Sequence, residues 1–363
     1  MEIVQKKKNI ANKYIYLEIM RILAIFFVIF NHTGIDGFVL FSVQEENSKA
    51  FWIYMFMTVF TKFAVPLFLT ISGAVLLDKE ESLKVVFKKR ILKIIKILIV
   101  LSIIYYFDGL RCGIYDFSIK DFLRRILAQE IFTPLWFLYE YLFFLSILPF
   151  LRILVKKIEK EHYYYMAIVT VIFIEIVPMI QYFVFKSINT NVEILRKCSM
   201  AVVYPCIGYF LQNKIKISKP KTIYMLWIVN VVTIIITCLL TYYKGKITGV
   251  FSEGESQTFL WMFVLVNCVC IYSTIKYIIE HIKIPQMIQK LIFSIGSCTF
   301  GIYLFHALIK QSSVSIKILN IILNTGLNHM LSTLVWCFGV MLVTYILVLI
   351  IKRIPILNKI IEI

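Results

Sequence analysis

Glu18, Arg21 and His32 lie within one apolar stretch, YLEIMRILAIFFVIFNHTG, at the spacing of a helix face. From Arg21 to His32 is about three turns and about 16 Å of rise, which leaves both side chains at nearly the same azimuth. Glu18 lies about 40° from His32 around that axis. An imidazole titrates near neutrality and a carboxylate can hold its tautomer, so the trio suits general acid–base work or a proton relay. Glu140, in TPLWFLYEYLFFLSILPFL, adds a carboxylate about 10 Å in from the outer end of its segment. In GSCTFGIYLFHALI, Tyr303 and His306 share a face at i, i+3 and bring a second imidazole to a depth like that of His32. The plainer alternative is a Glu18–Arg21 pair within one helix near the membrane interface, with His32 at the helix end. Asp36 is a further orienting acid if the helix continues that far; Lys62 reads as well as a snorkelling or carboxylate-paired lysine as it does as a catalytic one, and for Glu175 and Lys310 the non-catalytic reading is favoured.

A second cluster is cationic. KVVFKKRILKIIKILIV carries Lys89, Arg90, Lys93 and Lys96, and the last three recur every third residue, close to one face. Such a strip suits phosphate oxygens; ordinary interfacial anchoring is the alternative. The chain has no Walker A motif and no GxGxxG, so nucleotide hydrolysis or a Rossmann-bound dinucleotide is not indicated. Its eight cysteines form no CxxC pair and no Cys/His metal spacing. They read as small core residues, and no metal is expected.

The elements that must position these groups follow from composition. The 363 residues are 60% hydrophobic, 15% aromatic and 17% charged, too apolar for a soluble enzyme, and 30 Phe and 21 Tyr against 8 Pro rule out a disordered or linker-like chain. Lipid is the solvent. Apolar runs at 15–34, 51–77, 91–107, 133–151, 163–183, 194–212, 222–243, 258–279, 291–311 and 330–351 predict an all-α, polytopic bundle of about ten transmembrane helices. A re-entrant or interfacial helix is expected around Asp121 to Ile131. The first apolar run carries Glu18 and Arg21 and lacks a small-residue cleavage site, so it reads as a retained helix. Loops on the side of the N-terminus carry about twice the Lys and Arg of those opposite, which puts both termini in the cytoplasm of a multi-pass cell-membrane protein. The net charge of +18 is thereby read as topology, with no nucleic-acid partner. Residues 1–363 form one integral membrane domain, without internal repeat or appended soluble unit. An ionisable side chain at mid-membrane costs about 2.5–3.5 kcal/mol on insertion scales, so the stripe on the first span must face a protein interior.

These residues resemble the acyltransferase 3 family of integral membrane O-acyltransferases. The resemblance is carried by Glu18-x-x-Arg21-x10-His32, by Val65-Pro66-Leu67-Phe68-Leu69-Thr70-Ile71-Ser72-Gly73, by the basic strip, by Leu135-Trp136-Phe137-Leu138 and by Tyr303-Leu304-Phe305-His306. The family often has Arg-x-x-Arg in the strip; here it reads Arg90-Ile-Leu-Lys93, which keeps the charge and loses a second bidentate fork. The resemblance implies acetyl-CoA or a related acyl-CoA as donor and a hydroxyl of a cell-envelope sugar or lipid-linked glycan as acceptor. In that scheme Arg90, Lys93 and Lys96 take the CoA phosphates, His32 is general base, Arg21 positions the donor or offsets developing charge, and Glu140 and His306 support proton transfer. A proton-coupled glycan transporter or flippase is the competing expectation; broken half-helices or an internal repeat would favour it, and the sequence displays neither.

Overall fold

The computed structural model describes residues 2–185, 191–251 and 259–355, with side chains from residue 15 onward except at 191–194 and 197. Helix accounts for 83% of the chain, and no strand occurs among the described residues. In chain order the helices are α1 (Glu2–Asn31), α2 (Lys49–Thr61), α3 (Ala64–Leu76), α4 (Leu92–Arg111), α5 (Ile119–Ala128), α6 (Trp136–Lys157), α7 (Lys160–Phe185), α8 (Asn191–Asn213), α9 (Pro220–Thr248), α10 (Val264–His281), α11 (Gln286–Gly296), α12 (Thr299–Gln311), α13 (Ser313–Leu323) and α14 (His329–Arg353). A π turn over Val86–Ile91 leads into α4.

Among the described residues five helical segments are long and apolar enough to cross a membrane: Lys49–Leu76, Thr133–Lys157, Lys160–Phe185, Pro220–Thr248 and His329–Arg353. The bent pair α11–α12 makes a sixth only when its two helices are counted together as one span. The other four expected segments are also helical within the described residues, as α1, α4, α8 and α10. Each carries charge: Glu18 and Arg21, Lys93 and Lys96, Arg196, and Lys276. Residue 258, where the eighth expected run begins, lies outside the described residues. The helix expected near Asp121 is α5, whose N-terminus is capped by the Ser118 hydroxyl accepting from the Asp121 N–H at 3.2 Å.

The arrangement has a centre and a rim. The most apolar window of Lys49–Leu76 is 72% buried, that of Lys160–Phe185 only 22%. A large core with Phe30, Phe38, Phe63 and Phe144 fully enclosed surrounds α1 and α3. Helices α3 and α8 touch backbone to backbone. A Cβ at Gly73 would stand 2.0 Å from the Pro205 carbonyl oxygen, and one at Gly208 only 1.8 Å from that of Thr70. Small residues serve this way in membrane bundles, where dispersion between closely approached helices replaces the hydrophobic drive. Six of the eight cysteines are buried, whereas Cys112 and Cys198 are exposed.

Two local expectations are corrected. The run 291–311 is not one helix: α11 and α12 meet at a 61° bend at residues 297–298. Gly296 there faces Glu18, with the carboxylate 2.1 Å from where a Cβ would be. The carbonyl of Ser297 is taken by the Lys352 ammonium at 2.8 Å, and that of Gly296 by the Thr299 hydroxyl at 2.8 Å, so the break leaves these groups satisfied. The sequence thus hid a broken helix. Second, α1 stops at Asn31 and Gly34 turns with φ +60°, so Asp36 sits in a short 3-10 turn, off the helix on which it would have oriented His32.

Candidate functional site

Three cavities are lined by candidate residues, and the first two share Tyr141. A cavity of about 200 Å³ is lined by Glu81, Lys89, Arg90, Lys93 and Tyr141, among others. Arg90 donates from Nε and Nη2 to the two Glu81 oxygens at 2.9 and 2.6 Å. Arg152, buried on α6, donates to Glu81 at 2.8 Å and to the Leu76 carbonyl at 3.1 Å. Hydrogen bonding from Arg90, with Arg152 adding to it against the cost of desolvation, holds the Glu81 carboxyl down at about 2. Lys96 is exposed and outside this lining, and Lys89 takes the place beside Lys93. Residues four apart share a helix face, as Lys89 and Lys93 do here, while Lys96, three residues on, is turned about 60° from Lys93.

Tyr141 also lines the next cavity, of about 420 Å³, together with Glu18, Arg21, Ser72, Phe137 and Tyr303. Arg21 Nη1 meets Glu18 Oε1 at 2.5 Å, so the intrahelical pair exists, and it faces a cavity. Glu18 Oε2 is buried with no hydrogen-bond partner among the described residues. The break between α11 and α12 forms one wall through Gly296, Ser297 and Thr299.

At the far side of Tyr303 stand the two imidazoles. The rings of His32 and His306 stack with centroids 5.5 Å apart and planes 26° from parallel. His306 is wholly buried, and its Nδ1 lies 2.8 Å from the Tyr303 carbonyl. A carbonyl oxygen only accepts, so Nδ1 carries the hydrogen and Nε2 holds the lone pair. That Nε2 is buried and has no hydrogen-bond partner among the described residues. The helix α12 that presents it is pinned on both flanks: Tyr303 donates to the Pro134 carbonyl at 2.6 Å, and Tyr105 of α4 donates to that of Leu304 at 3.0 Å. The Lys310 ammonium donates to the His32 carbonyl, tying the end of α1 to the same helix. His32 in turn lines a third cavity, of about 520 Å³, with Lys62, Trp136, Arg196 and Trp261.

Of the groups singled out from sequence, His32 and His306 are in contact, Arg21 lies in the middle cavity and Arg90 and Lys93 in the basic one. Glu140 is half-buried one residue before Tyr141 and lines none of these three cavities. From Tyr141, which faces two of them, Glu140 is turned by about 100°. No cluster of His, Cys, Asp and Glu among the described residues could hold a metal ion.

The model of the acyltransferase 3 family's acyltransferase domain matches residues 14–353, nearly the whole chain. The chain belongs to the acyltransferase 3 family. This makes it, in general terms, a membrane acyltransferase. No curated protein and no solved structure matches it.

In this acyltransferase several cavity residues escaped the sequence reading. Tyr141, which links the basic and middle cavities, follows Phe137 at i+4, a spacing that could have put it on the same face. Glu81, Arg152 and Arg196 carry no signal of that kind, because their roles depend on helices distant in sequence: Glu81 and Arg152 are 71 residues apart.

Proposed function

We propose that this protein is an O-acyltransferase with ten spans and cytoplasmic termini, moving an acyl group, acetyl in the simplest case, from cytosolic acyl-CoA to a hydroxyl of a cell-envelope glycan or glycolipid. The observation that carries the reading is the stacked His32–His306 pair, set between an outer cavity and an inner series that runs past Arg21 and Tyr141 to Arg90 and Lys93.

The CoA phosphates bind Lys89, Arg90 and Lys93, displacing Glu81 from Arg90, and the pantetheine arm passes Tyr141 and Arg21. An imidazole nitrogen takes the proton of the acceptor hydroxyl as that oxygen attacks the thioester carbonyl. The tetrahedral intermediate collapses, the C–S bond breaks, and the imidazolium returns the proton to the departing thiolate. His306 packs its ring against that of His32, which holds the His32 ring in place, and keeps its own buried Nε2 without a hydrogen-bond partner among the described residues. Arg21, about 16 Å from His32 along α1, positions the donor arm in the middle cavity, and its Glu18 partner fixes the guanidinium.

The break between α11 and α12 is the feature a glycan transporter would also use, because discontinuous helices line many transport sites. Thioester cleavage separates the readings. Purified protein given acetyl-CoA and a glycan acceptor releases free CoA under the proposal, and His32→Ala, well expressed and folded, does not. Release of no CoA by the parent with a panel of envelope glycans favours transport; near-parental turnover by His32→Ala removes His32 from the chemistry.

A further inference from the structure

The ion cluster beside the basic cavity is built as an anion site whose occupant belongs to the chain itself. Glu81 lies in the connection between Leu76 and Leu83, outside the long helices. Its two oxygens accept three hydrogen bonds from two guanidiniums: Arg90 Nη2 donates to Oε1 at 2.6 Å, while Arg90 Nε at 2.9 Å and Arg152 Nη2 at 2.8 Å both donate to Oε2. The two arginines come from different elements, the π turn before α4 and the body of α6. Arg152 is 7% exposed and fixed by its Nε bond to the Leu76 carbonyl, and its Nη1 is buried with no hydrogen-bond partner among the described residues. The site thus holds more donors than its carboxylate satisfies. Glu81 also lines two cavities. One is the basic cavity of Arg90 and Lys93; the other, of about 480 Å³, is lined by Lys79, Glu80, Arg152 and Lys156, among others. Glu80 is exposed there and pairs with Lys156 at 2.7 Å.

A buried guanidinium left without an anion is strongly destabilising, so this cluster requires an anion but does not prescribe which one. A carboxylate brings a single charge and two oxygens. A phosphomonoester brings about −1.5 to −2 charges at pH 7 and three terminal oxygens, a better match to converging guanidinium forks; a bridging diphosphate has less charge per phosphorus. Resting on the acyl-CoA reading of the donor, we infer that Arg90 and Arg152 form a two-armed clamp for a phosphomonoester, the ribose 3′-phosphate of the coenzyme, and that Glu81 is its built-in competitor. Arg152 is thereby a donor-binding residue supplied from outside the basic strip. The open cavity beside Glu81 gives the displaced side chain room to leave.

The test reads binding with no acceptor present. The full-length protein in nanodiscs is titrated calorimetrically with CoA, with 3′-dephospho-CoA and with adenosine 3′,5′-bisphosphate. CoA should bind about tenfold or more tightly than its dephospho form. Glu81→Gln, which removes the competing charge, should tighten CoA about fivefold or more and leave dephospho-CoA within about twofold of the parent. Arg152→Gln is made in that Glu81→Gln background, so that the buried pair is removed together, and should weaken CoA about tenfold relative to Glu81→Gln alone with dephospho-CoA little changed. Thermal melting of each variant checks the fold. Equal affinity of the parent for CoA and dephospho-CoA, a Glu81→Gln variant that binds CoA no more tightly than the parent, or a 3′-phosphate preference untouched by Arg152→Gln overturns the clamp while leaving CoA as a ligand, and so leaves the acyl-CoA reading standing. Adenosine 3′,5′-bisphosphate isolates the converse failure: if it binds with this dependence on Glu81 and Arg152 while CoA does not bind, the clamp stands and the acyl-CoA donor falls. No saturable binding of either phosphomonoester at millimolar concentration overturns both.

Discussion

His306→Asn separates positioning from chemistry at the imidazole pair. In the parent the Nδ1–H of His306 donates to the Tyr303 carbonyl at 2.8 Å, and the opposite nitrogen, Nε2, is buried without a partner. An asparagine amide at this position can still donate to the carbonyl three residues back, but it offers no basic nitrogen in place of Nε2. Stability should therefore fall little, by about 1 kcal/mol for the lost ring contacts, whereas His306→Ala also removes the hydrogen bond and should cost about 1–3 kcal/mol. Activity should fall far more. Loss of a general base typically costs 10²- to 10⁴-fold, about 2.7–5.5 kcal/mol of barrier. The assay is free-thiol release from acetyl-CoA by purified protein with acceptor, paired with thermal melting in the same detergent. If the stacked rings act as a unit, adding His32→Ala to His306→Asn should cost little beyond the worse single variant, because groups that act as a unit are not additive. His306→Asn turning over within tenfold of the parent, with its acid limb in the pH–rate profile unchanged, would refute a chemical role for this residue.

Three further outcomes follow from the geometry. Glu81 has a folded-state value of about 2 against an ordinary 4.5, so its ion pairs contribute stability that is complete above pH 4.5 and lost as pH falls towards 2; in thermal melts, the gap between the parent and Glu81→Gln should close across that window, and a gap constant with pH contradicts the pairing. Gly208→Val should destabilise by about 3 kcal/mol or more, since its Cβ would lie 1.8 Å from the Thr70 carbonyl oxygen, and an unchanged melting temperature would deny that α3 and α8 touch there. Arg90→Ala with Lys93→Ala should raise KM for acyl-CoA about tenfold or more and leave the acceptor KM near parental, whereas a change confined to the acceptor places the donor elsewhere.

The sequence displayed best what depends on local period and burial. Ten apolar runs coincide with helical segments because a run of that length must satisfy its backbone within itself. The stripe of Glu18, Arg21 and His32 was legible because 3.6-residue periodicity brings these charges to one face, and an interior-facing stripe was the affordable arrangement in lipid. Local departures from that period were not legible. The basic strip enters the cavity through Lys89, Arg90 and Lys93 while Lys96 stays out of it, and nothing in the residue types there announces the π turn over Val86–Ile91. The break at residues 297–298 depends on Glu18 filling the space beside Gly296 and on Lys352 capping Ser297, contacts with helices far along the chain. The same holds for the outer cavity, where Lys62, Arg196 and Trp261 converge from three segments with no common motif. Glu140 illustrates the converse: its depth was estimated from helical rise, but azimuth decides access, and Tyr141 faces the cavities instead.

The central claim is that a donor entering at the Arg90 end delivers its acyl group to an acceptor at the His32 end. Membrane vesicles of defined orientation, containing the protein and its glycan acceptor, would be given acetyl-CoA labelled with carbon-14 in the acetyl group on one face only. Label is expected in the glycan when donor is supplied on the face bearing Lys89, Arg90 and Lys93, and is expected to be lost in His32→Ala. Label that reaches the glycan equally from the opposite face, or that persists in His32→Ala, would contradict it.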